Sequence, residues 1–250
     1  MKLIAAKDYD EMSRRAASML AAQVILKPKC VLGLATGSTP LGTYRQLIGW
    51  YQEGMLDFSE TRTVNLDEYC GLAPENDQSY HYYMHRNLFD SINVKPENIH
   101  LPNGRAADIG AEGKSYDRMI ESLGGVDLQL LGLGGTGHIG FNEPSAAFDG
   151  GTHRVALKEK TIRDNSRFFQ SVDDVPKFAV TMGIGTIMKA KRIVLIVNGT
   201  KKAAILEKIL FGPITPEVPA SVLQLHRNVT VLAAQDALKT VYELHPEIKK

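Results

Sequence analysis

Four times along this chain a short strand-like run, nearly apolar in three of the four, breaks off into a cluster of glycines, hydroxyls or acids. Residues 30–34 lead into Thr36-Gly37-Ser38-Thr39-Pro40, and residues 63–66 into Asp67-Glu68-Tyr69. Residues 126–133 lead into Gly134-Gly135-Thr136-Gly137-His138, and residues 192–197 into Asn198-Gly199-Thr200. Strands that are apolar throughout, rather than alternating, are buried on both faces, which is the signature of a parallel sheet covered by helices. Apolar spacing predicts helices over 9–26, 41–50, 79–88, 106–123, 201–210 and 236–244, a Gly-rich helix over 180–190, and further strands at 3–5 and 229–233. Thr39 is placed to cap the helix over 41–50, with Pro40 in its first turn.

The expected fold class is therefore α/β, a three-layer Rossmann-like, mostly parallel sheet with helices on both faces. Ligands of such sheets bind beyond the carboxyl ends of the strands. The polar clusters fall at those ends, so they are expected to form one shared site. A length of 250 residues suits a single domain over 1–250. With 29 basic and 28 acidic side chains and a formal charge of +1, no nucleic-acid partner is expected. The two cysteines, Cys30 and Cys70, form no C-x-x-C pair and read as reduced thiols of a cytoplasmic protein. The N-terminal apolar run is too short for a secretion signal, and no stretch approaches the ~20 apolar residues of a membrane span. No membrane partner is expected.

Gly132-Leu133-Gly134-Gly135-Thr136-Gly137 matches the dinucleotide fingerprint G-x-G-x-x-G. The true fingerprint opens a Rossmann unit and runs into a helix. Here it follows the chain's midpoint, and Asn142-Glu143-Pro144 leaves little room for one, so no nicotinamide cofactor is expected. Thr36, Gly37, Ser38 and Thr39 lie between a strand and a helix. Small residues there expose N–H groups at a favourable helix end, and hydroxyls can donate to phosphate oxygens. No Lys follows the glycines as in a Walker A loop, so a monophosphate fits better than a nucleoside triphosphate. An ordinary turn with a capped helix is the alternative. Lys202 and Arg167 could complete the cradle, one as a mobile point charge and the other as a rigid fork; each alone also reads as a surface charge.

Asp67 ends a buried strand, where partial desolvation raises a carboxyl toward the working range of a base. Glu68 points elsewhere, toward solvent or toward neighbours it orients; alternatively the two acids cap a nearby helix. His138 ends another strand, and an imidazole is the side chain type that can pass a proton either way near neutral pH. Glu143, five residues on, could hold its second ring nitrogen and fix the tautomer. A structural loop histidine is the other reading. Asn142 and Pro144 look architectural. His81 and His85 have a metal-binding spacing but lack the Glu of H-E-x-x-H, since Tyr82 stands there; a packed aromatic helix is expected and no metal. There is no G-x-S-x-G elbow.

Taken together, residues 32–40, Asn65-Leu66-Asp67-Glu68-Tyr69, Gly137-His138-Ile139-Gly140-Phe141-Asn142-Glu143-Pro144, Asn165-Ser166-Arg167-Phe168-Phe169 and Gly199-Thr200-Lys201-Lys202-Ala203 resemble the motifs of the glucosamine-6-phosphate deaminase family over nearly the whole chain. Related lactonase and galactosamine-phosphate isomerase families share parts of this pattern and fit the set less well. The resemblance implies conversion of glucosamine 6-phosphate and water to fructose 6-phosphate and ammonia in amino-sugar catabolism, without a cofactor. The alternatives are a related sugar-phosphate isomerase or lactonase, or a non-catalytic sugar-phosphate sensor. It further implies Asp67 as the enolisation base, and His138 as the ring-opening group supported by Glu143. Thr36, Gly37, Ser38, Thr39, Arg167 and Lys202 become phosphate ligands, and 158–172 a lid.

Two positions depart from the family. Thr136 stands where Asp or Asn is usual, two residues before the motif His, and joins the catalytic set as a residue that supplies one hydrogen bond but no charge. The segment Gly151-Thr152-His153-Arg154-Val155 matches poorly the basic segment through which allosteric hexamers of the family bind N-acetylglucosamine 6-phosphate. That leans toward an unregulated monomer, with a homo-oligomer as the alternative.

Overall fold

The computed structural model describes residues 1–159, 162–163, 169 and 171–249. Seven strands form one parallel sheet, in the order β1 (Lys2–Ala6), β10 (Val229–Ala234), β9 (Ile193–Val197), β6 (Leu128–Gly132), β2 (Val31–Leu34), β3 (Arg62–Asn65) and β5 (Ile99–His100). Every pairing in it is parallel. From β2 the chain steps outward through β3 to β5. It then returns to the other side of β2 as β6 and continues through β9 to β10. The winding reverses between β2 and β6, and a crevice opens there beyond the strand ends. The strands whose ends carry the polar clusters, β9, β6, β2 and β3, are neighbours in the sheet.

Side chains alternate between two cores. On one face Leu32, Leu34, Leu128, Leu130, Ile196 and Leu232 pack against α1 (Tyr9–Leu26), α2 (Leu41–Gln52) and α3 (Tyr80–Asn87). On the other, Val31, Leu131, Leu195 and Val231 pack against α4 (Ile109–Ser122), α5 (Ile184–Met188), α6 (Ala203–Phe211) and α7 (Lys239–Leu244). The helix starts are chemically marked: Asp8 accepts from Glu11 N, Ser79 from Tyr82 N and Asp108 from Ala111 N. Asp108 holds the cap, so α4 begins three residues later than its spacing predicted. Among the described residues no helix is long and apolar enough to cross a membrane.

A second, antiparallel sheet joins β4 (Asp67–Tyr69), β8 (Phe178–Thr181) and β7 (His153–Ala156). It corrects the expected helix over 180–190. Val180 and Thr181 are strand residues, paired with Glu68 and Asp67 on one side and Arg154 and His153 on the other. Helix is confined to α5 because the preceding residues are held in that sheet; Gly183, at the helix start, and Gly185 let it press against the Gly150–Gly151 backbone, where a Cβ would lie 2.2 and 2.5 Å from a carbonyl oxygen.

Candidate active site

The loop between β2 and α2 turns at Gly37, whose φ of +97° suits glycine. Three phenols grip its carbonyls. Tyr44 donates to Ala35 O at 2.5 Å, Tyr83 to Gly37 O at 2.5 Å and Tyr9 to Ser38 O at 3.2 Å. No N–H of Thr36, Gly37, Ser38 or Thr39 donates to a described residue. The loop is thus a nest of unspent donors at a helix start, with the geometry of an anion site. Thr39 does not cap α2: Pro40 occupies the cap position without a side-chain bond, and the Thr39 hydroxyl donates to Asn198 Oδ1 at 3.0 Å. That bond draws the loop after β9 beside the nest. There Gly199, at φ +94°, leads into the turn Thr200–Lys202, and half-buried Lys202 stands at its end. Arg167 lies outside the described residues.

Asp67 is 6 % exposed, and no described residue hydrogen-bonds its carboxyl. Burial, with the neighbouring Glu68 charge adding to it, pushes the group up to about 8. A Cβ placed on Gly140 would lie 3.5 Å from Asp67 Oδ2, so this carboxyl abuts the loop that carries His138. Thr181, opposite Asp67 in the small sheet, accepts from Phe141 N at 3.1 Å and pins that loop. Asn142 holds it from within, donating to Ile139 O and Met182 O, both at 2.8 Å. Glu68 takes a different part. Its carboxyl accepts from the N–H groups of Tyr69, Tyr80 and His81 at 2.8–2.9 Å, so it caps the start of α3. Burial raises its pKa, and those three donors pull it back.

The G-x-G-x-x-G stretch runs into no helix. Its glycines serve His138: a Cβ on Gly134 would sit 2.0 Å from the imidazole, so the ring lies over bare backbone, and Gly137 turns at φ +84°. The Thr136 hydroxyl lies 2.8 Å from His138 Nδ1 and donates to Glu143 Oε2 at 2.9 Å. His138 Nδ1 and Glu143 Oε2 are 3.2 Å apart. One hydroxyl carries one proton. Given to Glu143, it leaves Thr136 as an acceptor, so Nδ1 must hold the ring proton. The network thus assigns the tautomer in which Nε2 is bare and able to accept a proton.

Aromatic rings close the space beside Asp67. Tyr80 stacks on Phe141 with centroids 5.9 Å apart, and Phe169 meets the edge of Tyr69 at 5.9 Å. The Tyr80 ring packs on Tyr69 with centroids 4.8 Å apart, and its phenol lies near the Thr36 side chain, so the wall around the base adjoins the anion nest. Sequence reasoning missed these tyrosines, and likewise Tyr9, Tyr44, Tyr83 and Thr181. Only the pair Tyr80 and Tyr83 on one helix left any local trace. His81 and His85 stack on each other at 4.5 Å, and His85 pairs with Asp90.

An anion nest, a desolvated carboxyl and an oriented imidazole beyond the ends of a parallel sheet define an α/β protein with an acid–base site for one small anionic molecule. The chain belongs to the family described as glucosamine-6-phosphate isomerases/6-phosphogluconolactonase, which it matches over residues 5–232. It is 59 % identical to a glucosamine-6-phosphate deaminase of Lachnoclostridium phytofermentans, over 93 % of this chain and 98 % of that protein. A deaminase of Clostridium acetobutylicum is 54 % identical over 96 % of this chain and 99 % of the relative. Among solved structures, a monomeric glucosamine-6-phosphate deaminase superposes with a TM-score of 0.94 at 48 % identity, covering 96 % of this chain and all (100 %) of the other. A 6-phosphogluconolactonase from Leishmania guyanensis shares the fold, with a TM-score of 0.75 at 20 % identity over 94 % and 97 % of the two chains.

Proposed function

We propose that this chain isomerises and deaminates glucosamine 6-phosphate, releasing fructose 6-phosphate and ammonia, as its deaminase relatives are named for doing. The observation that carries the reading is the meeting of two unlike proton-handling groups at one crevice. One is a buried carboxyl that no described residue hydrogen-bonds, Asp67; the other is an imidazole with a bare Nε2, His138. The N–H groups of Thr36, Gly37, Ser38 and Thr39, with Lys202 and Arg167, hold the phosphate. That binding energy places C1 and C2 without entering the chemistry. His138 takes the ring hydroxyl proton and returns it to the ring oxygen, opening the sugar, while Glu143 and Thr136 keep the ring oriented. Asp67 then moves the C2 proton to C1, leaving an imine at C2. Water adds there and ammonia departs. A positioned acid or base supplies about 10²–10⁴-fold.

Residues 158–172 act as a lid in this reading, although 160–161, 164–168 and 170 lie outside the described residues. The support is the Lys158 bond to Pro144 O at 2.7 Å and the packing of Ile162 and Phe169 on the Tyr69–Phe141 cluster. The chain works as a cytoplasmic monomer in amino-sugar catabolism. The unbonded state of Cys30 and Cys70 and the monomeric solved relative support that assignment. An ammonia-release assay with glucosamine 6-phosphate, galactosamine 6-phosphate and 6-phosphogluconolactone side by side tests the function. Ammonia from glucosamine 6-phosphate with no lactone hydrolysis is expected; lactone hydrolysis without ammonia would reverse the assignment. Sedimentation of the full chain tests the assembly state.

A further inference from the structure

A carboxyl buried beside a loop ordinarily collects hydrogen bonds, because the N–H groups of the loop need acceptors. Asp67 escapes this although the backbone of Gly140 lies against it. A Cβ built on Gly140 would sit 3.5 Å from Asp67 Oδ2 and 2.8 Å from Thr181 Oγ1. Carboxyl and hydroxyl therefore face the same stretch of chain. The next N–H along that stretch, Phe141 N, goes to the Thr181 hydroxyl at 3.1 Å. Thr181 is fully buried and stands opposite Asp67 in the small sheet. Its own proton turns toward Met182 O at 3.5 Å, which leaves a lone pair for Phe141.

The titratable groups that face Asp67 come from its own strand and from two helices. Glu68 follows it on β4, Tyr80 faces it from α3 and Tyr116 from α4, while β8 contributes none. The Glu68 charge pushes the Asp67 carboxyl up, and burial keeps both phenols protonated. The loop pinned by Thr181 carries His138 and Glu143, which are paired with each other. We propose, on the reading of Asp67 as the base that moves the C2 proton, that Thr181 is a positioning residue for that step: by accepting the Phe141 N–H it withholds a donor from Asp67 and so keeps that carboxyl a base. Without the hydroxyl, the Phe141 N–H is a buried donor that has lost its acceptor, an unfavourable state. A small rotation at Gly140, whose φ of +56° glycine tolerates, turns it toward Asp67. The rest of the loop stays in place, because Asn142 Nδ2 still holds Ile139 O and Met182 O, both at 2.8 Å. A hydrogen bond to the charged carboxylate stabilises that form and weakens the base.

Thr181→Val keeps the branched shape and removes the acceptor, so it tests the role. The rise of kcat/KM with pH should move down by about one pH unit, and kcat on the plateau should fall about three- to tenfold. KM for glucosamine 6-phosphate should change by less than about twofold, since the Thr36–Thr39 nest is untouched. Thr181→Ser should restore the wild-type profile. A residue that merely filled space would lower the rate alike at every pH. Independently of turnover, ¹³C NMR of the full chain follows the Asp67 carboxyl, with Asp67→Asn identifying its signal. Its titration should move to lower pH in Thr181→Val and stay in place in Thr181→Ser. Thr181→Cys, whose sulfur is a weak acceptor, should shift it the same way and decides the matter should Thr181→Val not fold. An unmoved carboxyl titration in the variant lacking the acceptor, or an equal shift in Thr181→Ser, overturns the role of Thr181. A wild-type chain that released no ammonia would instead sink the deaminase reading, while the carboxyl titration would still decide what Thr181 does to Asp67.

Discussion

The two proton-handling stations of this crevice are built in opposite ways. Behind His138 the ring is held on one side, where Nδ1 meets Thr136 and Glu143 and Thr136 bridges to Glu143, so that only Nε2 is left to take a proton. Around Asp67 no described residue gives the carboxyl a hydrogen bond, and aromatic rings shut out water. The difference follows from the protons they handle. A sugar hydroxyl proton is already mobile, so what its acceptor needs is a fixed tautomer and direction. A C–H proton is held hard, so its acceptor needs basicity, which loss of solvent supplies and hydrogen bonds would remove. Asp67 and Glu68 repeat the lesson within two consecutive residues. Three N–H donors make one a structural cap, and their absence leaves the other free for chemistry.

The strongest way to break this contrast is at Asp67. Asp67→Asn should lower kcat by about 10³-fold and change KM by less than about threefold; near-normal turnover would remove Asp67 as the base. The same variant should be more stable than wild type at alkaline pH. Because the folded carboxyl titrates at about 8 against an ordinary 3.8, the native state binds more protons than the unfolded state between those values. Wild-type stability therefore falls as pH rises from 4 toward 8, and the advantage of Asp67→Asn grows over that window and levels off above it. Urea midpoints at pH 5 and pH 9 measure it; an equal difference at both would show that the carboxyl is not desolvated. In the same frame, kcat/KM of the wild type should climb with pH up to about 8.

Glu143→Gln comes next. Losing the charge behind His138 should slow turnover of the closed-ring substrate by about 10²-fold, with little change on an open-chain analogue. An equal loss on both would place Glu143 in the enolisation half instead. Smaller again is Thr136. Thr136→Val removes both hydrogen bonds of the hydroxyl and should cost about tenfold, whereas Thr136→Ser should restore most of the rate. Thr136→Asn, which brings in the residue type usual at this position, checks whether threonine is tuned to its surroundings; a loss beyond about tenfold would say so. The smallest effect belongs to the anion nest. Tyr83→Phe frees Gly37 O and should raise KM severalfold with kcat unchanged, at a stability cost of about 1 kcal/mol.

Much of this architecture was legible because its causes are local. Continuous apolar runs at 128–132 and 193–197 have only one comfortable setting, a strand covered on both sides, and glycines and hydroxyls after them can only be loops. Asp8, Ser79 and Asp108 cap groups only three residues away, yet spacing alone starts α4 at 106, three residues before the helix that Asp108 caps. His138, Thr136 and Glu143 lie within eight positions of chain, so their meeting is nearly a short-range fact. Where the reading failed, at 180–190 and at Thr39, the deciding partners were distant: Glu68 and Arg154 for Val180, Asn198 for Thr39.

The sequence by itself determined the parallel sheet, the places where loops interrupt it, and which residues could carry acid–base and anion chemistry. Only the tertiary structure decided which of two adjacent carboxylates loses its water and which is capped, and that three tyrosines from three helices hold the nest open. Periodicity and capping act over a few residues, so a chain displays them openly. Desolvation and the sharing of hydrogen bonds depend on what packs nearby from elsewhere, and that exists only once the layers have closed.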